Sequence, residues 1–298
     1  MRVFLTGATG FIGSAIIPEL INAGHQVLGL ARSDEGAKKL TAAGAEVHRG
    51  ELEDLESLRS GAAASDGVIH CGFVHDFSRF QEVCEIDRRA IETFGSALAG
   101  SDKPLIVSSG IGPWGQGRPT TENDNPPVPS PLPRVSEETA MALHAKGIKA
   151  AVMRLPQVHD PVKQGLVTYL IAIARQKGVS AYVGDGLNRW PAVHVLDCAR
   201  LYRLAIEKHE SGAKYHAVGE EGVRLRDIAE AIGRGLKIPV VSKSREEAAE
   251  HFGFLAYFMG ADPAASSAIT QQRLGWRPTG RGMIADLDRM NYSEKSPA

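Results

Sequence analysis

The residues best suited to chemistry come at the start of the chain. Thr6-Gly7-Ala8-Thr9-Gly10-Phe11-Ile12-Gly13 places a glycine at every third position. Gly7 permits a tight turn, Gly10 lets backbone approach a pyrophosphate, and Gly13 lets a helix pack closely on a strand. Thr9, Phe11 and Ile12 then bring the N–H groups at the start of that helix toward the anion. The chemistry implied is that of a nicotinamide dinucleotide held by its diphosphate. Beyond the turn, where an NAD-preferring unit sets an acid on the ribose 2′-hydroxyl, the chain has Arg32-Ser33. A cation there favours a 2′-phosphate and can stack on adenine, so NADP is expected ahead of NAD. The alternative is a solvated arginine at a strand end, with Asp34 meeting the ribose.

Tight turns need glycine whatever they bind, so the elements around this one decide its meaning. Val3-Phe4-Leu5 is a short β-prone run, and Ile16, Ile17, Leu20 and Ile21 fall on one face of a helix that Gly24 can close. A second apolar strand follows at 26–31, which completes a β-α-β unit. Further strands are expected at 46–49, 67–71, 104–108, 150–155 and 214–218, with helical stretches between them. This alternation predicts an α/β fold with a doubly wound, mostly parallel sheet. After Pro156 the chain should leave the sheet through a helix at 166–177 that is apolar on nearly all sides, then a strand and turn at 182–186. Asp197 is expected to cap a helix over 198–207. The stretch 224–290 holds amphipathic helices around Ile228, Ala231 and Ile232. It also holds the aromatics Phe252, Phe254, Tyr257 and Phe258, which read as core or as a lid over an apolar substrate. The expected division is a dinucleotide-binding domain over 1–160, completed by 189–219. A smaller discontinuous α+β substrate domain takes 161–188 and 220–298.

Composition narrows the function. With 298 residues, 34 basic and 35 acidic side chains and a net charge of -1, no global field favours nucleic acid or an anionic membrane. Cys71, Cys84 and Cys198 are scattered and odd in number, which argues against a disulfide framework or a cysteine-rich zinc module. No H-E-x-x-H or G-x-S-x-G occurs, so neither a metal centre nor a nucleophile elbow is expected. No run reaches the roughly 20 apolar residues of a membrane span, and the residues before the turn lack a signal-peptide pattern. A cytoplasmic protein with a small-molecule substrate is the reading.

These residues resemble the extended short-chain dehydrogenase/reductase superfamily, relatives of the NAD-dependent epimerases and dehydratases. The opening turn matches its TGxxGxxG pattern. Other anchors are Gly50-Glu51-Leu52-Glu53-Asp54, Val107-Ser108-Ser109, Met153-Arg154-Leu155-Pro156, Gly184-Asp185-Gly186 and residues 193–199. The resemblance implies that Glu51 and Leu52 lie against the adenine. It places Cys71, Gly72 and Phe73 beneath the ribose and pyrophosphate, with Ser108 nearby. Pro156, Gln157 and Val158 would approach the nicotinamide. Val83 to Leu98 trace an apolar stripe at helical spacing that core packing mostly explains; the resemblance likens the same stripe to the surface through which relatives pair, so a homodimer is a further expectation.

The family's catalytic pair is a Tyr with a Lys four positions later, and no tyrosine here has that lysine: the residues four after each are Ile173, Gly186, Ile206, Gly219, Ala261 and Ser296. The segment that should lead into the pair, 113–133, holds seven of the sixteen prolines and is a poor helix. Helix resumes at Ser136, a good N-cap. The pattern resembles the atypical branch of the superfamily, which keeps the nucleotide turn and lacks the standard pair. Hydride transfer does not require the tyrosine if another group handles the proton. His75 is one candidate, because Asp76 beside it could hold it charged near neutral pH. Ser109 could bind a carbonyl oxygen, and Trp114, His159 and His194 are weaker candidates. The expected function is an NADP-dependent oxidoreductase acting on a small carbonyl or alcohol. The alternatives are an NADP-binding sensor without turnover, or a nucleotide-sugar epimerase or dehydratase.

Overall fold

A computed structural model describes residues 1–115, 117–127 and 133–293. The chain opens with β1 (Arg2–Thr6), α1 (Phe11–Asn22), β2 (Gln26–Ala31), α2 (Asp34–Ala42), β3 (Glu46–Arg49), α3 (Leu55–Ala63) and β4 (Gly67–His70). It continues through α4 (Phe80–Ala97), β5 (Leu105–Gly110), α5 (Ser136–Ala145), β6 (Ala150–Leu155), β7 (Gln157–His159) and α6 (Val167–Lys177). Then come β8 (Ser180–Val183), β9 (Arg189–His194), α7 (Val195–Lys208), β10 (Lys214–His216), β11 (Glu220–Arg224), α8 (Leu225–Leu236) and β12 (Val240–Lys243). The remaining helices are α9 (Arg245–Phe252), α10 (Ala256–Met259), α11 (Ala268–Leu274) and α12 (Met283–Leu287).

Seven strands form one parallel sheet in the order β10-β6-β5-β4-β1-β2-β3. The order reverses between β1 and β4, since β2 and β3 lie on one side of β1 and β4 to β10 on the other. In open α/β sheets that crevice is where ligands bind. The strands read as nearly continuous apolar runs because both sheet faces are covered. One face packs Val3, Leu5, Ile106 and Met153 against Ile16, Ile17, Leu201 and Tyr202 of α1 and α7. The other packs Phe4, Val68 and Val107 against Leu58, Ala90, Ile91, Phe94 and Leu143 of α3, α4 and α5.

The stripe on α4 is used up in this second layer: Val83, Ile86, Ala90, Ile91, Phe94 and Leu98 are all at most 2% exposed. The stripe is therefore buried in the chain's own core, and the outward face of α4 carries Glu85, Arg88 and Glu92 joined as ion pairs.

A third core holds the remaining elements together. Val167, Ile171, Trp190, Leu225, Ile228, Ile232, Phe252 and Met283 are buried in it. β7, β9 and β11 make a three-stranded sheet, and β8 pairs with β12. The helix expected at 166–177 is α6, and its buried side belongs to this core rather than lying between two domains. The aromatic cluster divides: Phe252 is 3% exposed and sits in the core, whereas Phe254 and Tyr257 are 47% and 54% exposed.

Two caps differ from expectation. Asp197 does not cap a helix beginning at 198, because α7 already begins at Val195, capped by His194. The Asp197 carboxylate reaches across instead, accepting from the N–H groups of Thr279 at 2.9 Å and Gly280 at 2.6 Å, while Trp276 Nε1 donates to the Asp197 carbonyl at 3.0 Å. Ser136 likewise lies inside the first turn of α5, and its hydroxyl donates to Asp87 at 2.6 Å. The described part of 113–133 contains no helix, as its prolines require; Pro129 and Pro131 lie outside the described residues.

Candidate dinucleotide and substrate cleft

The turn between β1 and α1 is a cradle that side chains would fill. Gly7 has φ +65°, and a Cβ there would lie 2.7 Å from the backbone of Cys71 and Gly72. A Cβ on Gly13 would sit 2.2 Å from the Gly7 carbonyl oxygen, closer than any real contact. Gly10 N donates to Gly7 O at 2.9 Å and closes the turn. Thr9 and Gly10 are exposed and Phe11 and Ile12 half-buried, so the start of α1 stays open to an anion. Thr6 Oγ1 accepts from Gly72 N at 3.0 Å, which seats the loop after β4 against the turn. These observations meet the requirements of a dinucleotide: backbone donors, room for oxygens, and a position at the reversal of strand order.

Farther out, β2 and β3 end in a depression of about 440 Å³ lined by Arg32, Asp34, Arg49, Gly50, Glu51 and Asp54. The adenosine end of a dinucleotide belongs there. Arg49 is an addition that the sequence reading missed, and it ion-pairs with Asp34. Asp34, the alternative ribose ligand, is thereby engaged, while Arg32 is exposed. The Ser33 hydroxyl caps α2 by accepting from Gly36 N at 3.1 Å. Leu52 approaches the Gly72 backbone: a Cβ on Gly72 would meet Leu52 Cδ2 at 3.0 Å.

Several expected contacts face the wrong way. Ser108 donates to the His70 carbonyl at 2.6 Å and shares a 2.7 Å hydrogen bond with Tyr202, so its hydroxyl is held on the α7 side of the sheet. Cys71 leans toward the same pair, and burial pushes its thiol up to about 11, leaving it protonated and unreactive. Val158 is 4% exposed and part of the core. Gln157 Oε1 accepts from Leu166 N at 2.9 Å. Pro156 stays half-buried where β6 hands over to β7.

His75 lies next to Phe73, ring centroids 5.6 Å apart, and Asp76 does not hold it charged. The Asp76 carboxylate accepts from Ser78 N at 3.1 Å and Arg79 Nε at 3.1 Å, committed to its own turn. The residue is exposed by accessible area, yet its ring is crowded by protein. That desolvation, with repulsion from Arg134 and Lys163, holds the imidazole below its usual pKa against a hydrogen bond to the Phe73 backbone. The imidazole is thus held toward its neutral form, the reverse of the charged form expected from Asp76. Ser109 is 8% exposed and, by strand alternation with Ser108, faces the α5 side.

Around α5 and β6, where no tyrosine–lysine pair occurs, the polar side chains are committed to structure. Arg154, fully buried, donates through Nε and Nη2 to Glu137 at 2.8 and 2.6 Å, and Nη2 also donates to Asp124 O at 2.8 Å. Its Nη1 meets His216 Nε2 at 3.0 Å, and its guanidinium covers the Trp114 ring at 4.7 Å. Trp114 is therefore a partner of this knot, not a free pocket wall. Burial and then the Arg154 charge press His216 down to about 3, so Nε2 accepts from Arg154 and Nδ1–H donates to Ser266 O at 2.8 Å. His159 pairs with Asp286 at 2.8 Å, both at 0% exposure, and the His194 ring stands 5.9 Å from that of His159, away from the β4–β5 end. Among the described residues no group of His, Cys, Asp or Glu is arranged to hold a metal, and no helix is long and apolar enough to cross a membrane.

One residue the sequence reading passed over stands in this cleft. Arg134 lies 4.5 Å above the Phe73 ring and donates from Nη2 to Ser108 O at 3.2 Å. The signal for it was an arginine directly after the proline-rich run and two residues before a serine that begins a helix.

Comparison with known proteins agrees with this architecture. A family model described as the NAD dependent epimerase/dehydratase family matches residues 3–219. An uncharacterised protein of Schizosaccharomyces pombe is 50% identical over 290 residues, covering 96% of this chain and 98% of its own length. A sterol-4-alpha-carboxylate 3-dehydrogenase (decarboxylating) of Dictyostelium discoideum is 29% identical over 76% of this chain and 73% of its own. In three dimensions the chain is similar to DesIV, a dTDP-glucose 4,6-dehydratase of Streptomyces venezuelae solved with NAD and TYD bound. There the TM-score is 0.75 at 19% identity, over 98% of this chain and 96% of that one. On the extent of the family match and the glycine cradle it explains, the chain belongs to the NAD dependent epimerase/dehydratase family, with the fold of an extended short-chain dehydrogenase/reductase.

Proposed function

We propose that the protein is an NADP-dependent oxidoreductase that interconverts a small carbonyl compound and its alcohol. The observation that carries this is the cradle of Gly7, Gly10 and Gly13 at the reversal of strand order, with Arg32 exposed at its adenosine end. The 29% identical relative named as a dehydrogenase supports oxidoreduction. When bound, the cofactor supplies a hydride acceptor or donor. The chain's own residues then orient the substrate and manage its proton. His75, held neutral, accepts the proton of an alcohol in the oxidative direction, and Ser109 lies on the side of the sheet that can reach a carbonyl oxygen. Sugar epimerisation or dehydration fits less well, because both rely on the tyrosine–lysine pair that this chain lacks.

Fluorescence titration with NADPH, followed by a panel of carbonyl compounds read at the cofactor absorbance, tests this. Micromolar binding with turnover of some member is expected. Binding without turnover across a broad panel transfers the assignment to a nucleotide sensor, and absence of binding removes both.

A further inference from the structure

Among the described residues the side chains of Arg134 and Lys163 form no ion pair with a carboxylate, and both act electrostatically on His75. The Arg134 guanidinium is fixed on three sides: it covers the Phe73 ring, its Nε donates to Ser136 Oγ at 3.0 Å and its Nη2 donates to Ser108 O. Two of its five N–H groups are engaged in this way, and the others are available in a planar fork. The Lys163 backbone N–H donates to Asp160 Oδ1 at 2.7 Å, and Arg134 reaches the Asp87 carboxylate through the Ser136 hydroxyl. The contrast with Arg154 is sharp, since that guanidinium is closed off by Glu137 and Asp124 O. Both cations act against a proton on the His75 imidazole, and Arg134 is set beside that ring through Phe73, whose ring lies 5.6 Å from it. A guanidinium with unfilled N–H groups next to a neutral imidazole and an aromatic face attracts an anion, while Asp87, whose carboxylate does act on Arg134, is buried behind the Ser136 hydroxyl.

Arg134 is also braced from within. Thr6 Oγ1 shares a 2.7 Å hydrogen bond with His70 Nδ1, His70 Nε2 meets Asp87 Oδ1 at 3.1 Å, and Asp87 Oδ2 accepts from Ser136 Oγ at 2.6 Å. Thr6, His70, Asp87 and Ser136 are each at most 2% exposed. The chain of bonds runs from the first residue of the nucleotide turn to the guanidinium, so the cation is set in place before any substrate arrives. A guanidinium held this way selects planar, bidentate oxygen pairs, the shape of a carboxylate.

We propose that Arg134, with Lys163 at the rim, binds a carboxylate of the substrate, making the substrate a carbonyl compound that bears a carboxylate or the corresponding hydroxy acid. The carboxylate site stands on this geometry, and only the reacting carbonyl rests on the oxidoreductase assignment. In calorimetry at pH 7.5 and constant ionic strength, 3-hydroxybutyrate and malonate are titrated into the full chain with and without NADP. Inorganic phosphate and 3-hydroxybutyramide serve as comparison ligands. The expected result is binding of the carboxylates about tenfold tighter than the amide. Arg134→Gln should weaken the carboxylates by at least about tenfold, Arg134→Lys should restore part of the loss, and Lys163→Gln should weaken them about threefold. Equal affinity for the amide, tighter binding of phosphate than of carboxylate, or unchanged carboxylate binding in Arg134→Gln overturns the site. If Arg134→Gln fails to fold, Phe73→Leu and Lys163→Gln leave the Asp87–Ser136 bond intact, and unchanged carboxylate affinity in both overturns it equally. Heat from NADP with none from the carboxylates removes this site alone; heat from the carboxylates with none from NADP removes the cofactor assignment alone.

Discussion

The two ends of the cleft are built from different materials. At the diphosphate end the working groups are backbone, and the side chains matter by being absent: the space around Gly7 and Gly13 is already filled by main chain. At the substrate end the working groups are side chains from distant parts of the sequence, Phe73, His75, Arg134 and Lys163, brought together only by the sheet. A backbone site tolerates little, because any added atom collides. A side-chain site can be rebuilt, and around α5 and β6, which carry no tyrosine–lysine pair, this chain has a buried ion pair and a braced arginine.

The contrast breaks most readily at the substrate end. Glu137→Gln leaves the Arg154 charge buried without its partner, so urea unfolding should show a loss of about 3–5 kcal/mol. A loss under 1 kcal/mol would mean that the knot is solvated. Next in size, Gly13→Ala should cost about 1–3 kcal/mol through overpacking and weaken NADPH by more than tenfold, as melting and fluorescence titration would show. Normal NADPH affinity would separate the cradle from the cofactor. Arg32→Ala should weaken NADPH about tenfold and NADH no more than about twofold; equal losses would exclude a 2′-phosphate at that end.

The smallest effect sharpens the electrostatic side. His216 is neutral in the fold and titrates in the unfolded chain near the usual imidazole value of about 6.5, so the unfolded state binds the extra proton. Its folded pKa lies lower, at about 3, so stability is full above the unfolded value and falls with pH between the two. The slope per proton is at most about 1.4 kcal/mol per pH unit. His216→Gln should flatten the stability profile between roughly pH 6 and 4 by close to one proton. An unchanged slope would mean that His216 is already charged in the fold.

What the sequence disclosed follows the same division. The β-α-β start and the strands flanking it were legible because period, glycine spacing and strand ends are local properties. Val83 to Leu98 was legible as a helix and mostly as core, because its apolar residues keep helical spacing, and the structure buries them as that reading expects. Asp76 misled for a related reason: adjacency along the chain predicted a partnership with His75, whereas the turn gave its carboxylate to Ser78 and Arg79. Arg134 and Arg49 went unseen because their partners Phe73 and Asp34 lie on other segments, and the proline-rich run before Arg134 marks a break in helix rather than a contact.

The clasp at Asp197 limits how the molecule can respond to a guest. One carboxylate holds two successive amides of the distal chain, and an indole nitrogen grips the carbonyl of the same residue. Trp276 shares the core of Cys198 and Ala199 in α7, so the three bonds pin the returning chain to the nucleotide-binding sheet through a residue that is only 3% accessible. Any adjustment to an incoming molecule has to come from segments beyond that anchor.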